Sequence, residues 1–312
     1  MKNTPVMWLS IAKKIGVFTL CMGLSLLGFS QQDPMYSQYM YNMLSVNPAY
    51  AGSKGGIHGV LLHRSQWLNV EGARTTQNFT LHSPINGEKM GLGLNVVNDQ
   101  IGVSSRLNIQ GAYAYKLQLE DSKLAFGIQA SISRWRNNWQ ELKTIDPNDP
   151  SFALSGESFI KPNFGVGVYW NNDRFFASAA VPHLLNQNLS DEAVEAALRR
   201  HLFASFGGLY TINDQLKFKP SVMLKFVDSA PLQADINAEL IINDRVWIGA
   251  SGRVWDGLVG MAQVKIRDNF WIGYAYDYPL TEIRRVSGGT HEIFISYTHF
   301  LRKPKILSPR YF

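Results

Sequence analysis

The feature that most limits what this chain can fold into is a two-residue alternation that runs from Gly55 almost to the C-terminus. Met90, Leu92, Leu94 and Val96 alternate with Gly91, Gly93 and Asn95. Leu124, Phe126, Ile128, Ala130 and Ile132 alternate with Gly127, Gln129, Ser131 and Ser133. Phe270, Ile272, Tyr274 and Tyr276 alternate with Gly273, Ala275 and Asp277. Side chains along a strand point to opposite faces, so each segment has one apolar and one polar face. Roughly fourteen such segments of about eight to twelve residues are present, the length that a tilted strand needs to cross a hydrocarbon layer.

Two readings compete: a soluble sheet protein and a membrane barrel. Charged residues are only 17% of the chain, below the usual share in soluble domains. The mean hydropathy is nonetheless −0.11, far from that of a helical membrane protein. A barrel reconciles the two, because its lumen-facing half is polar. Beyond the first thirty residues no apolar stretch approaches twenty, so membrane entry is expected through strands.

The connections decide between the two readings. Every other one is short and rich in turn formers: Asn86-Gly87-Glu88, Glu120-Asp121-Ser122, Asn171-Asn172-Asp173, Asn213-Asp214, Asn243-Asp244 and Arg267-Asp268-Asn269. Asn, Asp and Gly tolerate the positive φ of tight hairpins. The alternate connections, Trp67–Arg74, Asn98–Ser104, Arg134–Ile160, Val181–Arg200 and Pro279–Thr290, are longer, with short exceptions near Ser229 and Asp256. Outer-membrane barrels have short periplasmic turns and long external loops. Trp67, Trp135, Trp170, Trp247, Trp255 and Trp271 fall at strand ends, where an interfacial girdle would place them; Trp139 falls in a loop. One loop carries a helix signal, with Ser190 as N-cap before Asp191 and Glu192, and Arg199 and Arg200 at its close.

The expected organisation is therefore an all-β transmembrane barrel of about fourteen antiparallel strands over residues 55–300. A secretory signal is expected at 1–30, an N-terminal plug or lid at 31–54 and a periplasmic tail at 301–312. Lys2, Lys13 and Lys14 precede an apolar run from Ile15 to Phe29, with Gly28 and Ser30 before a cut at Gln31. Cys21, the only cysteine, lies within that run, so the exported part has no thiol chemistry.

Few residues suggest chemistry. The formal charge of +6 includes those three lysines, which leaves no nucleic-acid footprint. None of His58, His63, His82, His183, His201, His291 and His299 has metal-ligand spacing, and there is no Gly-x-Ser-x-Gly elbow. No catalytic, cofactor or metal site is expected, and the chain does not read as an enzyme. Lys217, Lys219 and Lys225 alternate on one strand, and Asp235 and Glu239 on the next. In a hairpin turning near Ser229 these oppose each other inside the lumen, and their mixed signs favour Lys219, Lys225, Asp235 and Glu239 as ion pairs over a substrate path. The segment Gln31–Ser53 does not alternate. Its Tyr36, Tyr39, Tyr41 and Tyr50, with Met35, Met40 and Met43, are too apolar and aromatic for a free tail. They fit either a plug at the periplasmic end of the lumen or an interfacial pad. Tyr36, Tyr39, Met40 and Met43 recur at helical spacing, and Asn47-Pro48 would end a helix there.

Several stretches resemble a known family. Asp33-Pro34-Met35-Tyr36-Ser37-Gln38-Tyr39 and Asn47-Pro48-Ala49-Tyr50-Ala51-Gly52 resemble the opening of the PorP/SprF family. Val181-Pro182-His183-Leu184, Tyr276-Asp277-Tyr278, Gly289-Thr290-His291-Glu292-Ile293 and Ser308-Pro309-Arg310-Tyr311-Phe312 follow in family order. The resemblance implies an outer-membrane component of the type IX secretion system of Bacteroidetes. The partners it implies are other secretion components in the periplasm and outer membrane, and a secreted cargo or gliding adhesin held through its C-terminal domain. The bilayer and lipopolysaccharide would surround the barrel. The resemblance supplies no catalytic residues. A passive channel or fatty-acid-type transporter is the alternative for a barrel of this size.

Overall fold

The computed structural model describes residues 34–138, 158–188, 197–227, 230–254 and 256–300. Fourteen antiparallel strands form the wall. The first seven are β1 (Ile57–Ser65), β2 (Thr75–Ile85), β3 (Met90–Ile101), β4 (Ser104–Gln118), β5 (Ser122–Asn137), β6 (Ser158–Asn172) and β7 (Phe175–Val181). Next comes β8, made of His201–Gly208 and Tyr210–Asn213. The remainder are β9 (Leu216–Val227), β10 (Gln233–Ile242), β11 (Val246–Arg253), β12 (Gly257–Arg267), β13 (Phe270–Pro279) and β14 (Thr290–His299). Each strand pairs with its sequence neighbours, and β1 pairs with β14 from Ile57↔His299 to Ser65↔His291, which closes the barrel. The break in β8 falls at Leu209, which is buried in phase with His201, Phe203 and Ser205.

The two faces follow the alternation. Ile128, Ile160 and Ile236 point outward and are at least 60% exposed, whereas Glu239 and Glu292 point inward at 0%. An apolar outer belt around a polar interior is stable only with lipid on the outside. Closure also leaves no strand edge, so the backbone of the wall is satisfied strand to strand.

The turns obey their local chemistry. Asn86, Asn243 and Asp244 adopt positive φ of 49–53°, and Gly87 one of 65°. These turns lie on one rim, and the long connections on the other. One connection departs from expectation. Asn98–Ser104 is no long loop, because β3 and β4 run on to Ile101 and Ser104 and leave only Gly102 and Val103, with Gly102 at φ 53°.

The tryptophans differ too. Trp135, Trp247 and Trp271 are near strand ends, but they occupy the inward register; among the described strand residues only Trp170 is a tryptophan in the outward one, and Trp67 lies in the connection after β1. Trp247 and Trp271 meet each other edge-on at 5.8 Å, and the guanidinium of Arg106 covers Trp135 at 4.8 Å. Each of these inward indoles has a cation near its ring face: Arg106 at Trp135, Lys219 at Trp247 and Lys265 at Trp271. Trp139, Trp255, Ser229, the expected leader at 1–30 and the expected tail at 301–312 lie outside the described residues. So does most of the expected helix at Ser190. Its expected close instead follows a two-residue strand, Ala197–Leu198, paired with Gln187–Asn188.

Residues 34–56 run inside the ring of strands. They form three short 3-10 turns, Tyr39–Tyr41, Met43–Ser45 and Pro48–Tyr50, in place of the helical stripe. Asn42, at φ −136°, separates the first two, and Asn47 caps the third by accepting from the Ala49 N–H at 2.9 Å. The asparagine amides bond to the wall, so a continuous helix would lose those bonds.

The sorted rims generate an orientation test. A cysteine at Glu71, in the first long connection, should react with an impermeant thiol reagent on intact cells, and one at Asp214 should not. The opposite labelling would invert the barrel.

Candidate functional site

The lumen brings together residues that are far apart in the chain. At the long-loop end, Arg64 of β1, Arg253 of β11, Asp277 of β13 and Glu292 of β14 converge on Ser37. Glu292 accepts from the backbone N–H of Ser37 at 2.9 Å and of Gln38 at 2.8 Å. The Ser37 hydroxyl donates to Asp277 at 2.6 Å and accepts from Arg64 at 2.7 Å. Arg64 also bridges Asp277 at 2.7 Å and Glu292 at 3.0 Å. A carboxylate isolated in such a place would be costly; here two backbone donors and a guanidinium share one carboxylate.

The expected ion pairs extend this cluster. Lys225 Nζ lies 2.5 Å from Asp235, and Arg253 joins Asp235 at 3.5 Å to Asp256 at 2.8 Å and Asp277 at 3.7 Å. Lys219 lies directly across from Glu239, at 3.6 Å, with its ammonium 5.1 Å from the centre of the Trp247 ring.

The four tyrosines meet different parts of the wall. Tyr41 donates its hydroxyl to Glu239 and packs on Trp247 and Phe294 at 5.8 and 5.5 Å. Burial, reinforced by the charge of Glu239, pushes the Tyr41 hydroxyl pKa well up, so it stays a donor. Burial and the nearby Asp235 act likewise on Tyr39, whose oxygen accepts from Asn237 at 2.6 Å. Tyr36 is buried in the same cluster, and Tyr50 stands edge-on to Tyr169 and His82 at 5.2 and 5.6 Å.

A relay of amides fastens the middle of the segment. Thr80 donates to Asn42, Asn42 to Asn78, Asn78 to Asn95 and Asn95 to Gln110, at 2.5–2.8 Å. Asn47 donates to the carbonyl of Val168 at 2.9 Å and to Ser178 at 2.7 Å. Two inward glycines admit the backbone itself. A Cβ on Gly127 would collide with Pro48 and Ala49, and one on Gly91 with the Ala51 carbonyl. At the turn rim, the Gly52 N–H donates to His82 at 3.1 Å. The segment therefore reaches from the turn rim at Gly52 to the loop end at Ser37, well beyond the periplasmic end to which the sequence pointed. A cavity of about 40 Å³ remains beside it, lined by Met35, Tyr39, Asn108, His183 and Phe203 among others.

Arg64, Arg253, Asp277 and Glu292 were missed as site residues. Asp277 and Glu292 stand within stretches that carried the family resemblance, as do Ser37 and Asn47, and that was the available signal. Nothing in the sequence marks Arg64, whose place depends on the pairing of β1 with β14. Among the described residues no group of three or more His, Cys, Asp or Glu is placed to hold a metal ion.

Two outcomes follow from these contacts. Reversing Lys219 (Lys219→Glu) or Glu239 (Glu239→Lys) should each lower unfolding stability by about 3 kcal/mol. Combining them should recover about 1 kcal/mol or more, as a double-mutant cycle in urea would measure; purely additive losses would refute the coupling. Gly127→Leu should leave the wall intact yet raise hydrogen exchange at Met43–Ala51, and unchanged exchange would contradict the close packing there.

Comparison with solved structures places the fold among outer-membrane barrels. The Ralstonia pickettii toluene transporter TbuX is 12% identical, with a TM-score of 0.51, over 84% of this chain and 93% of that one. The CymD monoaromatic hydrocarbon channel is 11% identical, with a TM-score of 0.49, over 89% and 97%. Acinetobacter baumannii Omp33 is 9% identical, with a TM-score of 0.45, over 78% and 99%. At such identities the likeness concerns the fold alone. Comparison with curated protein sequences returned no match. The model of the type IX secretion system membrane protein PorP/SprF matches residues 28–297, nearly the whole barrel and the segment within it, so this outer-membrane chain belongs to the PorP/SprF family.

Proposed function

We propose that this barrel is a closed docking element of the type IX secretion system. In this reading residues 31–54 act as a plug, and the long-loop face holds an exported protein, such as an adhesin with its C-terminal signal domain. The observation that carries the reading is the fastening of residues 37–52 to the wall along most of the lumen, from Glu292 and Asp277 at one end to His82 at the other. A passive conduit for small solutes would need that path open, and a hydrocarbon or fatty-acid path would need an apolar lining in place of Asn, Gln, Arg and Glu. Family membership supports a role in protein export. The partners in this reading are other secretion components at the periplasmic rim and the exported protein outside.

Deleting residues 31–44, with the leader and its cut retained, tests the plug. The barrel should still assemble, conduct ions more freely in planar bilayers and fail in secretion; unchanged conductance and secretion would refute the plug. Purification of the intact chain from native membranes tests docking separately. One exported protein should accompany the barrel in comparable amount, and a barrel that purifies without cargo from secreting cells would remove the docking role.

A further inference from the structure

The outer wall carries one concentration of charge. Strand cations overwhelmingly take the inward register, as Arg64, Arg106, Lys116, Lys219, Lys225 and Arg253 show by their burial. Among the described strand residues, Arg134 and Arg136 of β5 are the outward-facing Arg or Lys, apart from Arg267 beyond the bulge at the turn end of β12. No Asp or Glu of the described strands faces outward. Both arginines are exposed and stand two residues apart, so their guanidiniums share one face.

Their depth is set by their neighbours. Below them on β5, Ile132 is 56% exposed; across from Arg134 lie Leu107 and Ile160, among the last apolar positions of β4 and β6 before the loop rim. Across from Arg136 lie Ser105 and Ser158, and Arg134 Nε donates to Ser158 at 3.4 Å. The polar surface continues sideways through Gln100 of β3, directly opposite Ser105, to Asn98, which donates to Gln77 at 3.0 Å. This is a strip of hydrogen-bonding groups and two cations just above the apolar belt, at headgroup depth on the long-loop side.

We propose that this strip binds the phosphorylated sugar headgroup of an outer-leaflet glycolipid. Arginine presents a planar fork that matches phosphate with two parallel hydrogen bonds, and it is less tightly hydrated than lysine. The flanking amides and hydroxyls suit sugar hydroxyls. An arginine stem is long enough to cover apolar wall while its head reaches the polar layer. An anionic lipid at this depth gains roughly a fivefold affinity per basic residue, so the pair together supplies more than tenfold. Bound glycolipid would brace β4, β5 and β6, next to the longest connection of the barrel.

The test uses the full-length protein in neutral detergent, with native mass spectrometry of added diphosphoryl lipid A, dephosphorylated lipid A and phosphatidylglycerol. Wild type should retain diphosphoryl lipid A at least about tenfold better than dephosphorylated lipid A, and better than phosphatidylglycerol, which offers one phosphate and no sugar. Arg134→Gln with Arg136→Gln should lose about that factor, whereas Arg284→Gln with Arg285→Gln, in an exposed loop, should lose nothing. Arg134→Lys with Arg136→Lys should keep part of the binding, and this pair decides the matter if the glutamine pair does not fold. Equal retention by the glutamine pair, or equal binding of phosphatidylglycerol by wild type, would overturn the proposal.

Discussion

The carboxylate of Glu292 is the interaction on which the lumen depends. It lies on the last strand, has no solvent exposure, and accepts from Arg64 on the first strand and from two backbone N–H groups of the segment that precedes that strand. The β1–β14 seam closes the barrel, so this contact joins the ends of the chain across the junction that has no covalent connection. Burying a carboxylate costs several kcal/mol, and a guanidinium with two amide donors offsets that cost only when all three are held in place. The seam and the segment thus stabilise each other. Remove the segment and Glu292 keeps a single cationic partner; open the seam and the segment loses its anchor.

The rest of the lumen follows the same logic with weaker groups. Outward side chains meet lipid and need only be apolar. Inward side chains that pack against residues 34–56 lose bulk water, so their polar groups need partners on the wall or on the segment. The relay from Thr80 through Asn42, Asn78 and Asn95 to Gln110 meets this demand with neutral amides, and the chain from Lys225 to Arg253 meets it with alternating charges. Glycines at positions 91 and 127 meet it differently, by letting backbone touch backbone.

What the sequence revealed divides along the same line. Strand number, the sense of each face and the chemistry of the tight turns are local properties, written in alternation and in Asn, Asp and Gly, and they could be read directly. The opposition of Lys219 and Glu239 was legible because a hairpin fixes register between adjacent strands. Arg64 was illegible, since its carboxylate partners lie more than two hundred residues away and depend on how the barrel closes. The tryptophans misled for a related reason: a position near a strand end gives the depth of a ring but leaves open the side to which it points. Trp247 turns inward because Tyr41 and Lys219 give it partners there.

The character of the contacts also bears on how firmly the segment is held. An apolar plug in an apolar tube would be indifferent to rotation and sliding, since dispersion contacts are non-directional. Hydrogen bonds to Glu292, Asn237, Asn78 and Val168 are directional and lie at different depths and azimuths around the wall, so together they fix both the position and the rotation of residues 37–47. Polar contacts are also the kind that water can replace. Hydration of the lumen from the loop end would weaken the Ser37 cluster before it reached the tightly packed backbone at Gly127 and Gly91. The fastening is therefore graded: ionic and exchangeable toward the long-loop rim, steric and close-packed toward the turn rim.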